Sequence, residues 1–194
     1  MLGGGRKRVL LAIFSDIHAN RQAFSACLQA ARGRGMQRII FLGDFVGYGG
    51  DPEWTVDTAI RLIADGAVAV RGNHDQAVTG GGATMNPDAQ AAIEWTRGRL
   101  SAAQRRFLAE LPLTLEEDDR LYVHSEASSP QRWRYVQSTA DAARSLIATP
   151  AHVTFCGHIH RPALYSMSAT AKMTSFVPTA GVPIQLLRGR QWLA

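Results

Sequence analysis

Short apolar runs recur along the chain, and each of them ends close to an Asp, Asn or His. The most apolar run covers residues 39–42 and is followed by Gly43 and Asp44. An uninterrupted apolar run of this length is typical of a strand that is buried on both faces. The other runs cover residues 9–14, 67–70, 121–123 and 153–156 and lead to Asp16, Asn73, His124 and His158. The pattern predicts five strands whose ends carry polar side chains, where open α/β sheets bind ligands.

Helical periodicity and capping residues fill the segments between these runs. Helices are predicted within residues 19–34, 51–64, 86–100, 101–111 and 138–148. An antiparallel hairpin is predicted for 113–115 with 121–123, and strands for about 152–156, 163–168, 172–178 and 184–187. Because strands and helices alternate in the first half, the sequence predicts an α/β fold with a largely parallel sheet.

Length and composition indicate one globular domain that covers residues 1–194, with a flexible, Gly-rich segment at 1–8 and a glycine loop at 79–83. No apolar run approaches the ~20 residues of a membrane span. The apolar run after residue 8 is short and reaches Asp16, so it is interpreted as a strand and not as a signal peptide. Two cysteines give no disulfide framework, and we expect a cytoplasmic protein.

The formal net charge of +5 favours anionic partners, including phosphorylated ones. The arginines are spread along the chain and form no basic run, so we expect no specific nucleic-acid partner and no membrane partner. A small phosphorylated substrate is the expected ligand.

The strand-end side chains form one chemical set: Asp16, His18, Asp44, Asn73, His124, His158 and His160. Carboxylate, imidazole and amide donors suit divalent metals such as Mn, Fe or Zn. Seven ligands exceed one tetrahedral site but suit two metals, for which Asp44 is the natural bridge. His74 is then placed to reach the substrate oxygen or leaving group, and Asp75 could orient its imidazole.

In their order, these residues resemble the calcineurin-like metallophosphoesterases. The matching blocks are Asp16-x-His18, Gly43-Asp44, Gly72-Asn73-His74-Asp75, His124 and Gly157-His158-x-His160. Residues 15–20 and 42–49 are also similar to small prokaryotic phosphodiesterases of that superfamily, which are often called diadenosine-tetraphosphatase-like. Each block alone is a weak signal, but five blocks in this order are specific.

The resemblance implies a four-layer α/β/β/α sandwich with its site at the strand ends. It also implies two metal sites that share Asp44. One would be completed by Asp16, His18 and His160, and the other by Asn73, His124 and His158. His74 would stabilise the transition state or donate a proton.

The implied activity is metal-dependent hydrolysis of phosphodiester or phosphomonoester bonds, in which a hydroxide that bridges two metals attacks phosphorus directly. The cofactors would be two divalent ions from Mn, Fe, Zn and Ni, with Mn expected to act in vitro. Alternatives are a phosphatase of phosphoproteins or dinucleoside polyphosphates, and a scaffold that keeps the fold without the chemistry. Arg132 and Arg134 are candidate substrate-binding residues, although surface and core roles fit them equally.

Two departures from the family pattern affect these expectations. Ser125 follows His124 where relatives usually have glycine, which would narrow the site or reshape the loop. Relatives also usually continue past Trp192 and Leu193 into closing strands. We therefore expect a second sheet cut short, with an unpaired edge that a homo-oligomer could cover.

Overall fold

The structure is a computed structural model that describes residues 9–81 and 85–194. The predicted flexible segment 1–8 and part of the predicted glycine loop, residues 82–84, lie outside the described residues. Among the described residues, no helix has both the length and the apolar character that crossing a membrane requires.

Three parallel strands form the first sheet, in the order β1-β2-β3. They are β1 (Leu11–Phe14), β2 (Arg38–Phe41) and β3 (Val68–Ala69). Helices α1 (Arg21–Gly33) and α2 (Pro52–Ala64) connect them. The Asn20 side chain caps α1 by accepting the Ala23 N–H, and Pro52 occupies the first position of α2. The predicted parallel sheet is therefore present, with its carboxyl ends on one side.

Helices α3 (Asn73–Val78), α4 (Pro87–Arg99) and α5 (Ala102–Glu110) lead to the second sheet. That sheet has six strands in the order β4-β5-β6-β9-β7-β8. They are β4 (Thr114–Glu117), β5 (Arg120–Val123), β6 (Val153–Phe155), β7 (Leu164–Ser168), β8 (Met173–Phe176) and β9 (Arg190–Leu193). Helix α6 (Thr139–Ile147) separates β5 from β6 along the chain.

Apolar clusters show how these elements are layered. Phe24, Val56 and Leu108 belong to a cluster between the first sheet and helices α1 to α5. Ile40 of β2 and Tyr122 of β5 meet in a cluster between the two sheets. A further cluster packs α6 against β7 and β9. The order helices, sheet, sheet, helix confirms the predicted four-layer α/β/β/α sandwich.

Two elements differ from the sequence-based expectation. The strand predicted at 184–187 is wrong, because that segment is irregular and residues 190–193 form β9 instead. Gly189, at φ +83°, turns the chain so that Trp192 and Leu193 lie between β6 and β7, where both are buried. Helix α3 was not predicted, and it begins at the metal-ligand candidate Asn73.

Candidate metal centre

All seven predicted ligands meet where the ends of the two sheets face each other. Together with His74, their donor atoms form three overlapping groups, in each of which the atoms lie within 4.8 Å of one another. One group, His18, Asp44 and His74, connects the other two, which are an open and a buried cluster. The open cluster comprises Asp16, His18 and His160, and the buried cluster comprises Asp44, His124 and His158. Asn73 joins the buried cluster, since its Oδ1 lies 3.1 Å from His124 Nε2. Asp44 lies between the clusters, because His18 Nε2 and His124 Nε2 are 3.8 and 3.2 Å from its Oδ2.

Main-chain hydrogen bonds hold the ligand loops together. The N–H groups of Asp16 and His18 donate to the carbonyls of Gly43 and Asp44, at 3.1 and 2.9 Å. In the second sheet, the Gly157 N–H donates to the His124 carbonyl at 3.0 Å. Neighbouring ligand loops are thus linked directly, so the donors are positioned by the backbone as well as by side-chain packing.

The backbone is strained at most of the ligands. A positive φ is costly for residues other than glycine, because Cβ crowds the following carbonyl. Five of the seven ligands nevertheless have φ between 49° and 71°: Asp16, His18, Asp44, His158 and His160. Strained residues of this kind concentrate at functional sites, where the surrounding structure enforces them.

Gly72 allows the loops after β2 and β3 to approach each other closely. A Cβ at this position would lie 2.0 Å from Asp44 Oδ1 and 2.4 Å from the Asp44 nitrogen. No side chain fits there, and the space lets the His74 N–H donate to Asp44 Oδ1 at 2.9 Å. The glycine before Asn73 is therefore required by the close packing of the Asp44 carboxylate.

Main-chain carbonyls fix the orientation of three histidine ligands. His18 Nδ1 donates to the Val46 carbonyl at 3.0 Å, and His124 Nδ1 donates to the Leu42 carbonyl at 2.7 Å. His158 Nε2 donates to the Trp133 carbonyl at 2.9 Å. Because a carbonyl only accepts, the proton of each neutral ring lies on the bonded nitrogen and the other nitrogen keeps its lone pair. Metal-binding histidines are typically oriented in this way.

The buried cluster carries strong electrostatic coupling. Burial lowers the pKa of His124, but the charge and hydrogen bond of Asp44, together with Asp16 and the Leu42 carbonyl, raise this pKa to about 9. Burial raises the pKa of Asp44, and the adjacent His124 lowers it below its usual range. Burial, assisted by the nearby His124, lowers the pKa of His158 to about 4. A cation that binds here would replace the proton of His124, as metal ligation generally does.

Asp75 has a different role from the one expected. Its Oδ2 accepts the N–H groups of Asp44 and Gly72 at 2.8 and 3.0 Å, and its Oδ1 accepts that of Phe45 at 2.9 Å. The expectation that Asp75 orients the His74 imidazole is therefore corrected. The carboxylate holds the loop that carries Asp44, because the N–H groups of this buried loop need an acceptor.

His74 lies over the centre with its ring largely buried. Its Nδ1 has no hydrogen-bond partner among the described residues, and its ring centroid is 4.8 Å from that of His18. Burial lowers the pKa of His74 to about 4 even though Asp44 opposes the change. A neutral imidazole with free hydrogen-bonding capacity therefore faces the two clusters.

The structure also places the remaining candidates. Arg132 lines a cavity of about 230 Å³ beside His74 and His158, whereas the Arg134 carbonyl accepts the Glu126 N–H at 3.3 Å. The hydroxyl of Ser125 donates to the Pro130 carbonyl at 3.1 Å, so its bulk is accommodated in the loop.

Sequence reasoning missed three residues at the centre: Tyr48, Tyr135 and Arg161. Tyr48 lies within residues 42–49, which resemble the family, but its role at the site was not inferred, and Arg161 was signalled only by its adjacency to His160. Tyr135 gave no signal, because the loop that places it has no recognisable pattern.

Comparison with known proteins agrees with this geometry. Residues 9–179 match the family description "Calcineurin-like phosphoesterase superfamily domain". The chain therefore belongs to the calcineurin-like phosphoesterase superfamily. This confirms the resemblance and the fold predicted from the sequence.

Individual relatives are similar to different extents. A metallophosphoesterase from Sphaerobacter thermophilus is 31% identical with a TM-score of 0.80, over 96% of this chain and 75% of that one. An uncharacterised protein of Methanocaldococcus jannaschii, MJ0912, is 34% identical over 134 residues, which are 66% of this chain. The match spans only about half, 54%, of the length of MJ0912. PH1004 from Pyrococcus horikoshii shares the fold, with a TM-score of 0.68 at 16% identity.

Proposed function

We propose that this protein is a metal-dependent phosphoesterase with a two-metal centre. The observation that carries the proposal is the overlap of the donor groups, in which Asp44 belongs both to the buried cluster and to the group that reaches His18 of the open cluster. Three of the histidines donate one ring N–H to a carbonyl, so the other ring nitrogen of each is the one that a metal could bind, in His124 after replacing its proton. Oxygen and imidazole donors of this type suit borderline-to-hard divalent ions, with Mn²⁺ as the expected ion in vitro.

The proposed ligand sets share Asp44. Asp16, His18 and His160 would complete the site at the open cluster, and Asn73, His124 and His158 the site at the buried cluster. Two bound ions would polarise the phosphoryl group and supply a nucleophile by lowering the pKa of a water molecule. The protein itself keeps the donors in place, through the main-chain bonds of the ligand loops and the acceptors of the histidine N–H groups.

His74 is proposed to assist the departure of the leaving group. Because its pKa is lowered to about 4, the ring is neutral at physiological pH and offers one N–H donor. A donor held at this position can hydrogen-bond to a phosphoryl or leaving-group oxygen and share its proton. Arg132 and Arg134 remain proposed substrate-binding residues, with the stronger support for Arg132, which lines the adjacent cavity.

The proposed substrate is a small phosphorylated molecule, and phosphodiesters are preferred over monoesters on the basis of the family resemblance. A phosphatase of phosphoproteins or dinucleoside polyphosphates is the alternative within the same class. The cytoplasmic location and the homo-oligomer stay predictions. Sedimentation of the purified protein tests the oligomer, and a monomer of normal stability would contradict it.

The decisive experiment uses metal-stripped protein before and after addition of Mn²⁺. Bis(p-nitrophenyl) phosphate and p-nitrophenyl phosphate report diester and monoester hydrolysis in parallel. We expect turnover only with metal, and faster turnover of the diester. Absence of turnover together with absence of bound metal would overturn the proposal and favour the scaffold interpretation.

A further inference from the structure

Two tyrosines beside the metal centre are exposed to solvent. Tyr48 is 52% exposed and Tyr135 is 51% exposed, although large aromatic side chains usually bury most of their area. Both line the same two cavities, of about 230 and 380 Å³, next to Asn73, His74 and His158. Two aromatic rings therefore border the cavities that adjoin the candidate metal ligands.

Tyr48 is held in a strained conformation. Its φ is +63°, and its ring centroid lies 4.8 Å from that of His74 and 4.9 Å from that of His18. The preceding Gly47 permits this approach, since a Cβ there would lie 2.3 Å from His74 Nδ1. The chain thus maintains an unfavourable backbone conformation to place a half-exposed ring at the centre, and such strain indicates a functional constraint.

The ring of Tyr135 stacks on the ring of His158, which is a candidate metal ligand. The centroid distance is 4.2 Å and the interplanar angle is 11°. The His158 ring is itself fixed by its bond to the Trp133 carbonyl. One face of Tyr135 therefore covers the histidine, while the exposed remainder of the ring borders the cavities.

The cavity walls combine aromatic faces with positive charge. Arg132 lies in the wall of the smaller cavity, and Arg161 lies with His160 in the wall of the larger one. Aromatic side chains stack favourably on planar rings, and arginine binds phosphate oxygens through its planar fork of donors. The walls thus fit a molecule that carries both a phosphate and a planar ring.

We propose that Tyr48 and Tyr135 are specificity-determining residues that bind a planar aromatic group of the phosphoester, which is either an aryl group or a nucleobase. This inference rests on the proposed phosphoesterase function and names the substrate class of that site. In an alternative role, the tyrosines would only shield the candidate histidine ligands from solvent. That role requires a bulky side chain at each position but not an aromatic ring.

The test compares ligands that differ in aromaticity and little in size. Isothermal titration calorimetry of the Mn²⁺-loaded full chain gives the Kd of phenylphosphonate and of cyclohexylphosphonate, which phosphoester hydrolysis does not cleave. The 5′-methylenephosphonate analogues of uridine 5′-monophosphate and of ribose 5-phosphate, which also contain an uncleavable P–C bond, form a second pair that differs by the nucleobase. We expect about fivefold tighter binding of the aromatic member of at least one pair, as stacking energies predict. The first pair identifies an aryl ester, and the second identifies a nucleotide.

Variants connect this preference to the two rings. Tyr48→Leu and Tyr135→Leu are each expected to bring the Kd values of the aromatic and the non-aromatic ligand closer together. Tyr135→Phe keeps an aromatic ring and is expected to retain the wild-type preference. Trp95→Leu is the matched control, because Trp95 is an exposed aromatic residue (48%) of α4 outside the walls of these cavities. Mn²⁺ content and circular dichroism equal to those of the wild type exclude misfolding as the cause of any change.

The inference fails if both members of each pair bind equally to the wild type, or if both leucine variants keep the full preference. Hydrolysis of bis(p-nitrophenyl) phosphate separates this failure from that of the proposed function. If hydrolysis persists without an aromatic preference, only the inference is overturned. If neither hydrolysis nor binding of any phosphorus ligand occurs, the proposed function is overturned and the inference with it.

Discussion

The buried and open clusters contain the same kinds of donor but differ in their access to water. In the buried cluster, the side chains of Asp44 and His124 are 1% and 0% exposed. In the open cluster, the side chain of Asp16 is 13% exposed and that of His160 is 50% exposed. A ligand set that is largely buried and hydrogen-bonded is more rigid than one that contains a half-exposed histidine.

The difference predicts that the two clusters hold their metal ions with different affinities. We expect an ion at the buried cluster to be retained, because its donors are oriented by the Leu42 and Trp133 carbonyls and shielded from solvent. We expect an ion at the open cluster to exchange more readily, because His160 lacks such shielding. The same openness gives a substrate access to that side of the centre.

The largest expected effect comes from Asp44→Asn, which removes the charge that the two clusters share. We expect loss of bound metal from both clusters and a fall in kcat/KM of at least about a thousandfold, or ~4 kcal/mol in transition-state stabilisation. Metal analysis by mass spectrometry and diester turnover measure the two effects together. Asp65→Asn, at an exposed helix end, is the matched control and should change neither. Retained metal in Asp44→Asn would show that the clusters do not depend on a common bridge.

His74→Asn should separate chemistry from metal binding. We expect kcat to fall by ~10²–10⁴-fold, the usual contribution of a positioned acid or base, while both ions remain bound. His152→Asn is the control, since the His152 Nε2 bonds to the Leu187 carbonyl away from the clusters. If His74→Asn lost metal as well, His74 would have to be counted as a ligand, which its grouping with His18 and Asp44 allows.

A direct comparison of the clusters uses His124→Ala and His160→Ala. We expect His124→Ala to lose the tightly held ion and also to destabilise the fold by ~2–3 kcal/mol, because it leaves buried polar partners unpaired. His160→Ala should leave stability unchanged and weaken only the exchangeable ion. Stepwise removal of metal by a chelator, followed by thermal unfolding, measures both effects. Equal losses in the two variants would contradict the difference between the clusters.

The convergence of the candidate ligands could be predicted from the sequence, because each one follows an apolar strand at a recognisable position. Asp44 after residues 39–42 and His158 after β6 are clear examples. The carboxyl ends of parallel strands meet at one edge of a sheet, independently of the conformation of the loops. The family blocks added the proposed division of these residues into two ligand sets that share Asp44, and the structure places Asp44 in two of the overlapping donor groups.

Other features depend on tertiary contacts that no local pattern encodes. Asp75 was expected to contact His74, its neighbour in the sequence, but the buried N–H groups of the Asp44 loop use its carboxylate. Helix α3 has only six residues, too few for helical periodicity to show. The apolar segment 184–187 looked like a strand, yet Trp192 and Leu193 pair with β6 because they fill its buried edge.

The smallest expected effect concerns Ser15, which orients a ligand of the open cluster. Its hydroxyl donates to Asp16 Oδ2 at 2.6 Å, and the Asp16 carboxylate also accepts the His158 N–H at 3.0 Å. Ser15→Ala should lower metal affinity about tenfold at the open cluster only, because outer hydrogen bonds of this kind tune ligand geometry. Ser166→Ala is the control, since it removes a comparable hydroxyl, 2.8 Å from Thr174 on neighbouring strand β8. Metal titration of Ser15→Ala should show one weakened site and one unchanged site. Equal weakening of both sites would contradict this expectation and would mean that Asp16 also supports the buried cluster, through its hydrogen bond from the His158 N–H.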